Sequence, residues 1–502
     1  MQPEQPHYQR QVEAQIAQYA AVEQVHQNAP AALWMGDRFL APILRQVFGS
    51  DTIAGCYAKQ LSEAVNRSGV ADVVSLGSGD CSLEIEVAQA VRLRGERPFR
   101  ITCLELSPIL VERARRAIAK AKFDDVVHVV LADLNRELPL SRLVGAFMAH
   151  HSLHHIVALE TLFGQIVDRL APEGALITMD LIGRNGHMRW PETLAVVRHI
   201  WSQLPDRLKW DHMFGRLDRW YENWDCSIEG FEGIRAQDIL PLLIEFGFGF
   251  ERFFATGGLA DVFYDRRFGA NFDLDNALDV QFLERVHWLE EDLLKRGNIK
   301  PVEMFAVMRS PRSRTRPVQP ICGNVLSPAL AVRPIRMTAP ATAEKLAKTH
   351  FVSPYPACPT PDVTAVPCGR TVWFGRAGEG EQLLRWGWAT PEDDFTWSLG
   401  IQSALEFVAV ASVSQIDFQL VGYKSPATAA GSLQIAVNGQ VLVSVNLASR
   451  AGDRLSARLA LPAGACALVE FTCSRPRRPD LDGGTDQRPL GIALIAMTLR
   501  AG

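Results

Sequence analysis

Residues 73–82 have the sequence VVSLGSGDCS, an apolar run that ends in a glycine pair, and a helix is predicted directly after it over 83–91. Four β-compatible residues followed by Gly-x-Gly are typical of a buried parallel strand that turns sharply into a helix. Because glycine has no side chain, a ligand can lie against the backbone of such a turn. Tight turns alone also use glycine, so the next two strands must identify the ligand.

Acidic residues follow the next two predicted strands. The strand over 99–105 ends in Glu105, and the strand over 126–131 leads into Asp133. A carboxylate at the end of the second strand of a nucleotide-binding sheet can accept hydrogen bonds from both ribose hydroxyls. An acid at the next strand end can hold the amino group of an adenine, so the pair of acids fits adenosine.

The order of these features resembles that of the class I S-adenosylmethionine-dependent methyltransferases, and the resemblance covers about residues 30–310. It implies a doubly wound, Rossmann-like α/β sheet with S-adenosyl-L-methionine as the cofactor. Two positions depart from the family: Ser75 stands where an acid is common, and Cys81 where a third glycine is common. The residues placed at the cofactor are Ser75, Gly77, Gly79, Asp80, Glu105, Leu106, Asp133, Leu134 and His150.

A nicotinamide-dependent oxidoreductase is the alternative that a glycine turn raises. The dinucleotide fingerprint is Gly-x-Gly-x-x-Gly, and its sixth position is occupied here by Ser82. The oxidoreductase is therefore the weaker interpretation.

Composition limits the protein class. With 502 residues, 47% of them hydrophobic, the chain can form about two to four domains. Its formal net charge of −4 argues against a general nucleic-acid binder, because phosphate binding needs a basic excess. Nine cysteines without Cys-x-x-Cys pairs indicate reduced thiols in a cytoplasmic protein. Without a signal-peptide pattern or a long apolar run, we expect at most peripheral membrane contact.

The N-terminal part is predicted to be helical. Apolar residues recur at helical spacing between 11 and 67, which predicts a helical cap over 1–70 ahead of a methyltransferase domain over 71–310. In the family that this region resembles, such helices cover the nucleotide pocket, so Trp34, Met35 and Asp37 are candidates to reach it. The interpretation of Trp34 and Met35 as core residues is favoured.

A histidine-rich loop follows the fourth predicted strand, 144–149. Ligands of doubly wound sheets lie at the carboxyl ends of the strands, and a histidine there can take the proton from an attacking hydroxyl. His151, His154 and His155 are therefore the candidate general bases. Alternatively, His154 and His155 pack against the following helix, or His151 and His155 bind a metal at i, i+4 spacing. Since no Glu pairs with them as in His-Glu-x-x-His, we expect no metal.

The acceptor is predicted to lie under a lid over 184–233. This segment is rich in Trp, Arg and His, and aromatic faces stack on sugar rings while Arg and Asp bind their hydroxyls. The alternative is an amphipathic helical insertion whose tryptophans are core. The candidate substrate residues are Asp180, Arg184, Trp210, His212, Arg216 and Trp220.

The end of the first domain is predicted to contain two further strands, 248–255 and 302–309. In the methyltransferase class, the last two strands form an antiparallel pair at the sheet edge. A long insertion separates them here, and it can form part of the acceptor pocket or a subunit interface.

Beyond a Pro-rich linker over 311–369, short alternating runs predict an all-β sandwich over 370–502. It resembles the small jelly-roll domains attached to bacterial glycosyltransferases and other surface-polysaccharide enzymes. Its aromatic and charged markers are either glycan contacts or structural. These markers are Trp386, Trp388, Trp397, Glu392, Asp486 and Arg488.

Together these features predict a cytoplasmic O-methyltransferase that acts on a sugar hydroxyl of a surface-glycan precursor or nucleotide sugar. The alternatives are a methyltransferase of another small molecule and a non-catalytic, glycan-binding assembly protein. Neither nucleic acid nor a transmembrane segment is expected. Whether the chain forms a homo-oligomer stays open.

Overall fold

The computed structural model of this chain forms two compact units. The α/β unit comprises residues 1–200, 210–216 and 225–356, and the β unit comprises 201–209, 217–224 and 357–502. The residues that the structure describes are 8–9, 11–13, 15–16, 28–227, 230–315, 319–324, 326–332, 351–355, 363–399, 402–423, 431–446, 453–474, 476, 479 and 490–501.

The α/β unit is built on one large sheet with the strand order β10-β8-β9-β5-β4-β1-β2-β3. Strands β1 to β5 run parallel, while β9 is antiparallel to both β5 and β8. The strands along this part of the chain are β1 (Asp72–Leu76), β2 (Arg100–Glu105), β3 (Val127–Leu131), β4 (Val144–His150), β5 (Leu170–Leu181), the short β6 (Trp210–Asp211) and β7 (Arg216–Leu217), β8 (Gly249–Thr256), β9 (Glu303–Arg309) and β10 (Ile321–Cys322). The predicted Rossmann-like α/β sheet is confirmed, and β8 and β9 form the predicted antiparallel pair, with β10 beyond β8 at the edge.

Helices connect the strands of this sheet along the chain, and a π-helical segment, Gly36–Leu40, follows the first described helix. The α-helices are α1 (Pro30–Met35), α2 (Ala41–Phe48), α3 (Ile53–Ser68), α4 (Ser82–Leu93), α5 (Pro108–Ala121), α6 (Leu159–Arg169), α7 (Pro191–Trp201), α8 (Ala236–Glu245), α9 (Asp261–Tyr264), α10 (Ala277–Arg296) and α11 (Pro328–Val332). Helix α3 is fixed to the sheet by Tyr57, whose hydroxyl donates to the carbonyl of Ala149 at 2.6 Å and accepts from the amide of Met179 at 2.8 Å.

The turn between β1 and α4 is shaped by left-handed residues. Gly77 and Gly79 have φ angles of 65° and 58°, and Cys81 has a φ of 61°. A side chain makes this region unfavourable, which explains why the third position is commonly glycine in the family that the sequence resembles. The amide of Gly77 donates to the carbonyl of Leu104 at 2.9 Å, so the turn is held against the end of β2.

The segment predicted as a linker contributes to the α/β unit. Strand β10 pairs with β8 at the sheet edge, and α11 follows it. Farther along, the Tyr355 hydroxyl donates to Asp279 at 2.9 Å, and Phe351 contacts the ring of Phe282. Parts of the described residues of 311–355 are therefore packed, since Phe351 and Tyr355 are buried against α10 and Leu326 and Ala331 are also buried.

The β unit contains two sheets with the orders β11-β14-β19-β16-β17 and β12-β20-β15-β18, and β13 pairs with β20. Side chains from both sheets share one hydrophobic core, which includes Phe407 and Phe418. The strands are β11 (Ala365–Val366), β12 (Thr371–Trp373), β13 (Thr396–Leu399), β14 (Gln402–Ala409), β15 (Val413–Gly422), β16 (Ser432–Val437), β17 (Gln440–Asn446), β18 (Asp453–Leu461), β19 (Cys466–Cys473) and β20 (Leu490–Ala501). The β-rich architecture agrees with the prediction, and the jelly-roll topology stays a prediction.

The tryptophans proposed as glycan contacts have structural partners in the β unit. Trp386 and Trp388 are 6% and 9% exposed, and the indole nitrogen of Trp388 donates to the carbonyl of Ala404 at 2.7 Å. Trp397 contacts the ring of Phe395 at 5.5 Å. The amide of Glu392 donates to the carbonyl of Phe395, while Asp486 and Arg488 lie outside the described residues.

Within the described part of the chain, no helix is both long enough and apolar enough to span a membrane.

Candidate active site

The glycine turn and the end of β2 are joined by hydrogen bonds. Glu105 accepts from the amide of Gly79 at 2.9 Å and from the amide of Ser107 at 2.8 Å. It is 8% exposed, and burial raises its pKa although these bonds oppose the shift. A Cβ added at Gly77 would lie 2.7 Å from the side chain of Ser152, whereas one added at Gly79 would meet no atom within 4 Å. A ligand can therefore lie over Gly79, beside the Glu105 carboxylate.

Asp133 is held by the N-terminal part of the chain. The hydroxyl of Tyr8 lies 2.8 and 2.9 Å from its two carboxylate oxygens, and the Arg136 Nε lies 3.1 Å from Oδ2. Burial, and secondly the bond to Asp133, raises the pKa of Tyr8. Leu134 is buried, and Leu106 packs against the cluster that contains Tyr8. Residues near the chain start thus contact the strand ends predicted to bind adenosine.

Ser75 has a different partner from the one predicted. It is 1% exposed and its hydroxyl donates to Oε1 of the buried Glu84 at 2.5 Å. The Asp80 carboxylate accepts from the amide of Ser82 at 3.1 Å, which fixes the start of α4. The structure therefore gives Ser75 a role in holding α4, and a contact from Ser75 to the cofactor stays a prediction.

Glu84 makes the stability of this region depend on pH. Burial raises its pKa from 4.5 to about 7, against the hydrogen bond from Ser75. The Glu84 carboxyl therefore binds its proton more tightly in the folded state than in the unfolded chain. Its contribution to the free energy of unfolding is present below about pH 4.5 and is lost as the pH rises through about 7, by about 3 kcal/mol in all.

We expect Glu84→Gln to remove this part of the pH dependence, because glutamine does not titrate. Urea unfolding of both proteins at about pH 5 and about pH 8 measures the difference. Equal pH dependence in the wild type and the variant would show that Glu84 is not the group responsible.

His151 lies directly after β4, which ends at His150. Its φ of 48° lies in the left-handed region. Residues other than glycine rarely adopt this conformation, and those that do are often found at functional sites. Its Nε2 lies 3.2 Å from Oε1 of Glu303, and its side chain is 38% exposed. Desolvation lowers its pKa, but the Glu303 carboxylate outweighs this effect and the pKa is raised. The ring of His150 packs edge-on against Tyr57 and His151.

His154 is buried against Asp180. Its Nδ1 lies 2.7 Å from Oδ1 of Asp180, whose carboxylate also accepts from the amides of Ser152, Leu153 and Leu181 at 2.8 to 2.9 Å. Burial lowers the pKa of His154, but Asp180 outweighs burial and raises it to about 10. Burial would raise the pKa of Asp180, and the interaction with His154 holds it below its usual range instead. Asp180 therefore fixes the histidine loop, and its predicted contact with the substrate stays a prediction.

Glu232 joins three histidines. Its Oε1 lies 3.5 Å from Nε2 of His154 and 2.9 Å from Nε2 of His187, and its Oε2 lies 3.8 Å from Nδ1 of His155. Burial would raise the pKa of Glu232, but His154 and His187 lower it. Burial, and then His154, lowers the pKa of His155 to about 3, and burial lowers that of His187.

Part of the predicted lid contacts the loop near residue 271 of the α/β unit. The side-chain Nδ2 of Asn271 donates to the carbonyl of Trp210 at 2.7 Å, and His212 Nε2 lies 2.9 Å from Asn271 Oδ1. The guanidinium of Arg216 lies over the ring of Phe214 at 5.1 Å.

The rest of the lid segment is divided between the units. Trp220 belongs to the β unit, where it lies 6.4 Å from the ring of Trp386 and 5.2 Å from the Arg385 guanidinium. Arg184 precedes the short helix Asn185–His187 of the α/β unit. Residues 201–209 and 217–224 of the segment predicted as a lid thus belong to the β unit, and the lid itself stays a prediction.

A pocket adjoins His151 on the side of Glu303. It measures about 770 Å³ out to its open mouth. Most of its wall consists of aliphatic, aromatic and methionine side chains, among them Met35, Phe39 and Met179, and Glu303 is one of its few charged groups. The amide of His151 donates to the carbonyl of Met179 at 2.9 Å. Met179 and Glu303, which both contact His151, are therefore also part of the pocket wall.

Three acidic or imidazole groups of the site were not singled out from the sequence. Glu303 opens β9, and Glu232 and His187 lie in loops far from the histidine-rich loop in sequence. The segment 184–233 was noted for its Trp, Arg and His content as a lid over the acceptor, without a role for His187 or Glu232. No spacing pattern links such residues, since the fold brings them together.

The strand order, the glycine turn and the acids at the ends of β2 and β3 agree with the arrangement expected of a class I S-adenosylmethionine-dependent methyltransferase. A family model described as a methyltransferase domain matches residues 74–178, from β1 to β5. The α/β unit therefore carries a methyltransferase domain, and its cofactor is S-adenosylmethionine.

Solved structures give more distant likenesses. The O-methyltransferase domain of StiE, residues 961–1257, is 13% identical over 58% of this chain and 77% of its own, with a TM-score of 0.29. The cyclase SpnF is 13% identical over 61% of this chain and 95% of its own, with a TM-score of 0.31. An O-methyltransferase from neocarzinostatin biosynthesis is 14% identical over 30% and 41%, with a TM-score of 0.20. No curated protein matches the chain. These likenesses carry no conclusion about the acceptor.

Proposed function

We propose that the α/β unit transfers the methyl group of S-adenosylmethionine to a hydroxyl oxygen of a small, largely apolar acceptor. The observation that carries this proposal is the His151–Glu303 pair, which lies at the carboxyl end of β4 and borders the apolar pocket through Glu303. A histidine with a carboxylate partner at a pocket wall is the arrangement that general-base catalysis needs.

The described residues fit the cofactor. The backbone around Gly79 borders open space, and Glu105 keeps acceptor capacity beyond its two amide partners. Asp133 likewise can accept from an adenine amino group while it accepts from Tyr8. Glu105 would hold the ribose, Asp133 the adenine, and the Gly77–Gly79 turn the remainder. When bound, the cofactor supplies an electrophilic methyl group.

His151 is the base that the geometry favours. Its Nε2 faces the Glu303 carboxylate, which stabilises the tautomer with the proton on Nε2 and leaves Nδ1 free to take the acceptor's hydroxyl proton. His154 is 2% exposed and both its ring nitrogens face carboxylates. His155 lies beside Glu232 with a side chain 14% exposed. Of the three predicted bases, only His151 combines a carboxylate partner with an exposed ring.

An apolar acceptor follows from the composition of the pocket wall. An apolar cavity binds a hydrocarbon or aromatic body through burial of apolar surface, with a few polar groups to orient it. A sugar needs hydrogen-bond partners around its whole ring, whereas twelve of the eighteen lining residues are apolar or glycine. The polar side chains are those of Thr256, Tyr264, His287, Glu290, Glu291 and Glu303. The sugar acceptor inferred from the sequence therefore stays a prediction without support from the pocket.

A labelled-methyl assay tests the proposal. The full chain is incubated with methyl-labelled S-adenosylmethionine and matched panels of phenols, apolar alcohols, apolar amines, sugars and nucleotide sugars. We expect O-methylated phenols or apolar alcohols as products, identified by mass spectrometry. Transfer only to sugars would contradict the acceptor class, and transfer only to amines would contradict O-methylation.

Gly36 offers a graded test of the pocket. It lines the pocket, has a helical φ of −58°, and a Cβ added there would meet no atom within 4 Å. We expect Gly36→Ala, Gly36→Leu and Gly36→Phe to raise KM for the acceptor in order of size, by about tenfold or more for Phe.

Affinity for S-adenosylhomocysteine, measured by calorimetry, should not change along this series, because the cofactor residues lie elsewhere. A KM that is independent of residue size would show that the acceptor does not occupy this pocket.

A further inference from the structure

Three imidazole rings surround the Glu232 carboxylate within the α/β unit. The ring of His154 lies 4.1 Å from that of His155 and 5.1 Å from that of His187, measured between centroids. Together these side chains bring three ring nitrogens toward one carboxylate. His154 and His155 lie in one loop, His187 in a second and Glu232 in a third.

The distances from the Glu232 oxygens to the three histidine nitrogens fit those between ligands of one metal ion. Nitrogen and oxygen ligands about 2.1 Å from Zn²⁺ at tetrahedral angles lie about 3.4 Å from one another. The distances from Glu232 oxygens to the nitrogens of His187, His154 and His155 are 2.9, 3.5 and 3.8 Å, which bracket this value. The ligand atoms of His154, His155 and Glu232 all lie within 4.8 Å of one another. His187 lies outside this group of three and adjoins it through its Nε2, 2.9 Å from Glu232.

Asp180 prepares His154 for such a role. Its Oδ1 lies 2.7 Å from Nδ1 of His154, so Nε2 is the ring nitrogen that faces Glu232. Asp180 is itself held by three backbone amides of the loop and of β5. In metal sites, a histidine ligand usually donates a hydrogen bond from its other ring nitrogen to a carboxylate, which orients the ring.

The backbone is strained where it presents His187. His187 has a φ of 56° and Gly186 before it has a φ of 68°, so two consecutive residues are left-handed. A side chain at Gly186 would collide with Asp225, which explains the glycine. Left-handed backbone at a residue other than glycine is unfavourable and persists where the surroundings impose it.

We propose that His154, His155, His187 and Glu232 bind one divalent transition-metal ion, with Zn²⁺ as the ion that such a set prefers. Four protein ligands close a tetrahedral shell, which is the arrangement of a structural site. The ion ties the histidine-rich loop, the Asn185–His187 turn and the loop around Glu232 to one another. It thereby holds the loop that carries His151. This inference departs from the expectation of no metal and does not depend on the proposed acceptor.

The test starts with the full chain, purified without a histidine tag. We expect elemental analysis to find about one zinc or other divalent transition metal per chain. Exchange for Co²⁺ should give the visible absorption of a tetrahedral site, and a strong chelator should lower Tm. A metal-free chain that gives no Co²⁺ spectrum, and whose Tm responds to neither Zn²⁺ nor chelator, would show that Glu232 only anchors hydrogen bonds.

Variants locate the site. We expect His187→Ala and Glu232→Ala to lower metal affinity at least about tenfold, whereas His128→Ala, on the exposed face of β3, should retain it. Full metal content in both site variants would overturn the assignment of these ligands. The Co²⁺ spectrum of the wild type remains decisive if a variant fails to fold.

Discussion

Alanine in place of Glu105 is expected to weaken the binding of S-adenosylhomocysteine by about 100-fold or more. The carboxylate is placed to accept both ribose hydroxyls, and a hydrogen bond to a charged group contributes about 1.5–3 kcal/mol. The same carboxylate holds the amides of Gly79 and Ser107, so its removal also loosens the turn on which the ligand lies. Isothermal titration calorimetry of the folded variant measures the loss.

A matched control separates this effect from a general one. Glu112 lies on α5 in an exposed pair with Arg115, and Glu112→Ala should bind S-adenosylhomocysteine as the wild type does. Glu105→Gln keeps the shape but not the charge, and we expect an intermediate affinity. If Glu105→Ala folds and binds the ligand as tightly as the wild type, the ribose assignment is wrong.

Loss of the imidazole in His151→Ala is expected to lower kcat for methyl transfer by about 10²- to 10⁴-fold, the usual contribution of a general base. Affinity for S-adenosylhomocysteine should be unchanged, because the cofactor contacts lie on the glycine turn and after β2 and β3. Single-turnover transfer of a labelled methyl group to the best acceptor from the panel measures the effect.

Glu303 acts through His151, so it is a positioning residue. Glu303→Gln keeps a hydrogen-bond partner for Nε2 without the charge, and we expect a smaller fall in kcat than for His151→Ala. His128→Ala on the exposed face of β3 should keep the wild-type kcat. A wild-type kcat in His151→Ala would mean that no base at this position takes part in the reaction.

The fold of the α/β unit could be predicted from local patterns. The glycine turn and the acids at Glu105 and Asp133 each follow an apolar strand directly, so sequence order places them at one edge of the sheet. The antiparallel pair of β8 and β9 was predicted from the resemblance to the methyltransferase class. The topology rules for parallel sheets supply the remaining information.

The pairing of distant side chains could not be predicted. Glu232 and His187 meet the histidine-rich loop only after folding, and nothing in their spacing indicates it. The Trp-rich segment was predicted as a lid from its mixture of aromatic and polar side chains, with a helical insertion as the alternative. Trp220 packs on Trp386 in the β unit, a pairing that composition does not indicate. Ser75 was assigned by its position in a family pattern, whereas its hydroxyl is bonded to the buried Glu84.

The central claim is that the edge formed by β1, β2 and β3 binds S-adenosylmethionine. The most direct measurement is calorimetric titration of the full chain with S-adenosylhomocysteine and, separately, with NAD⁺. We predict saturable binding of one S-adenosylhomocysteine per chain and no binding of NAD⁺. Binding of NAD⁺ without affinity for S-adenosylhomocysteine would contradict the account.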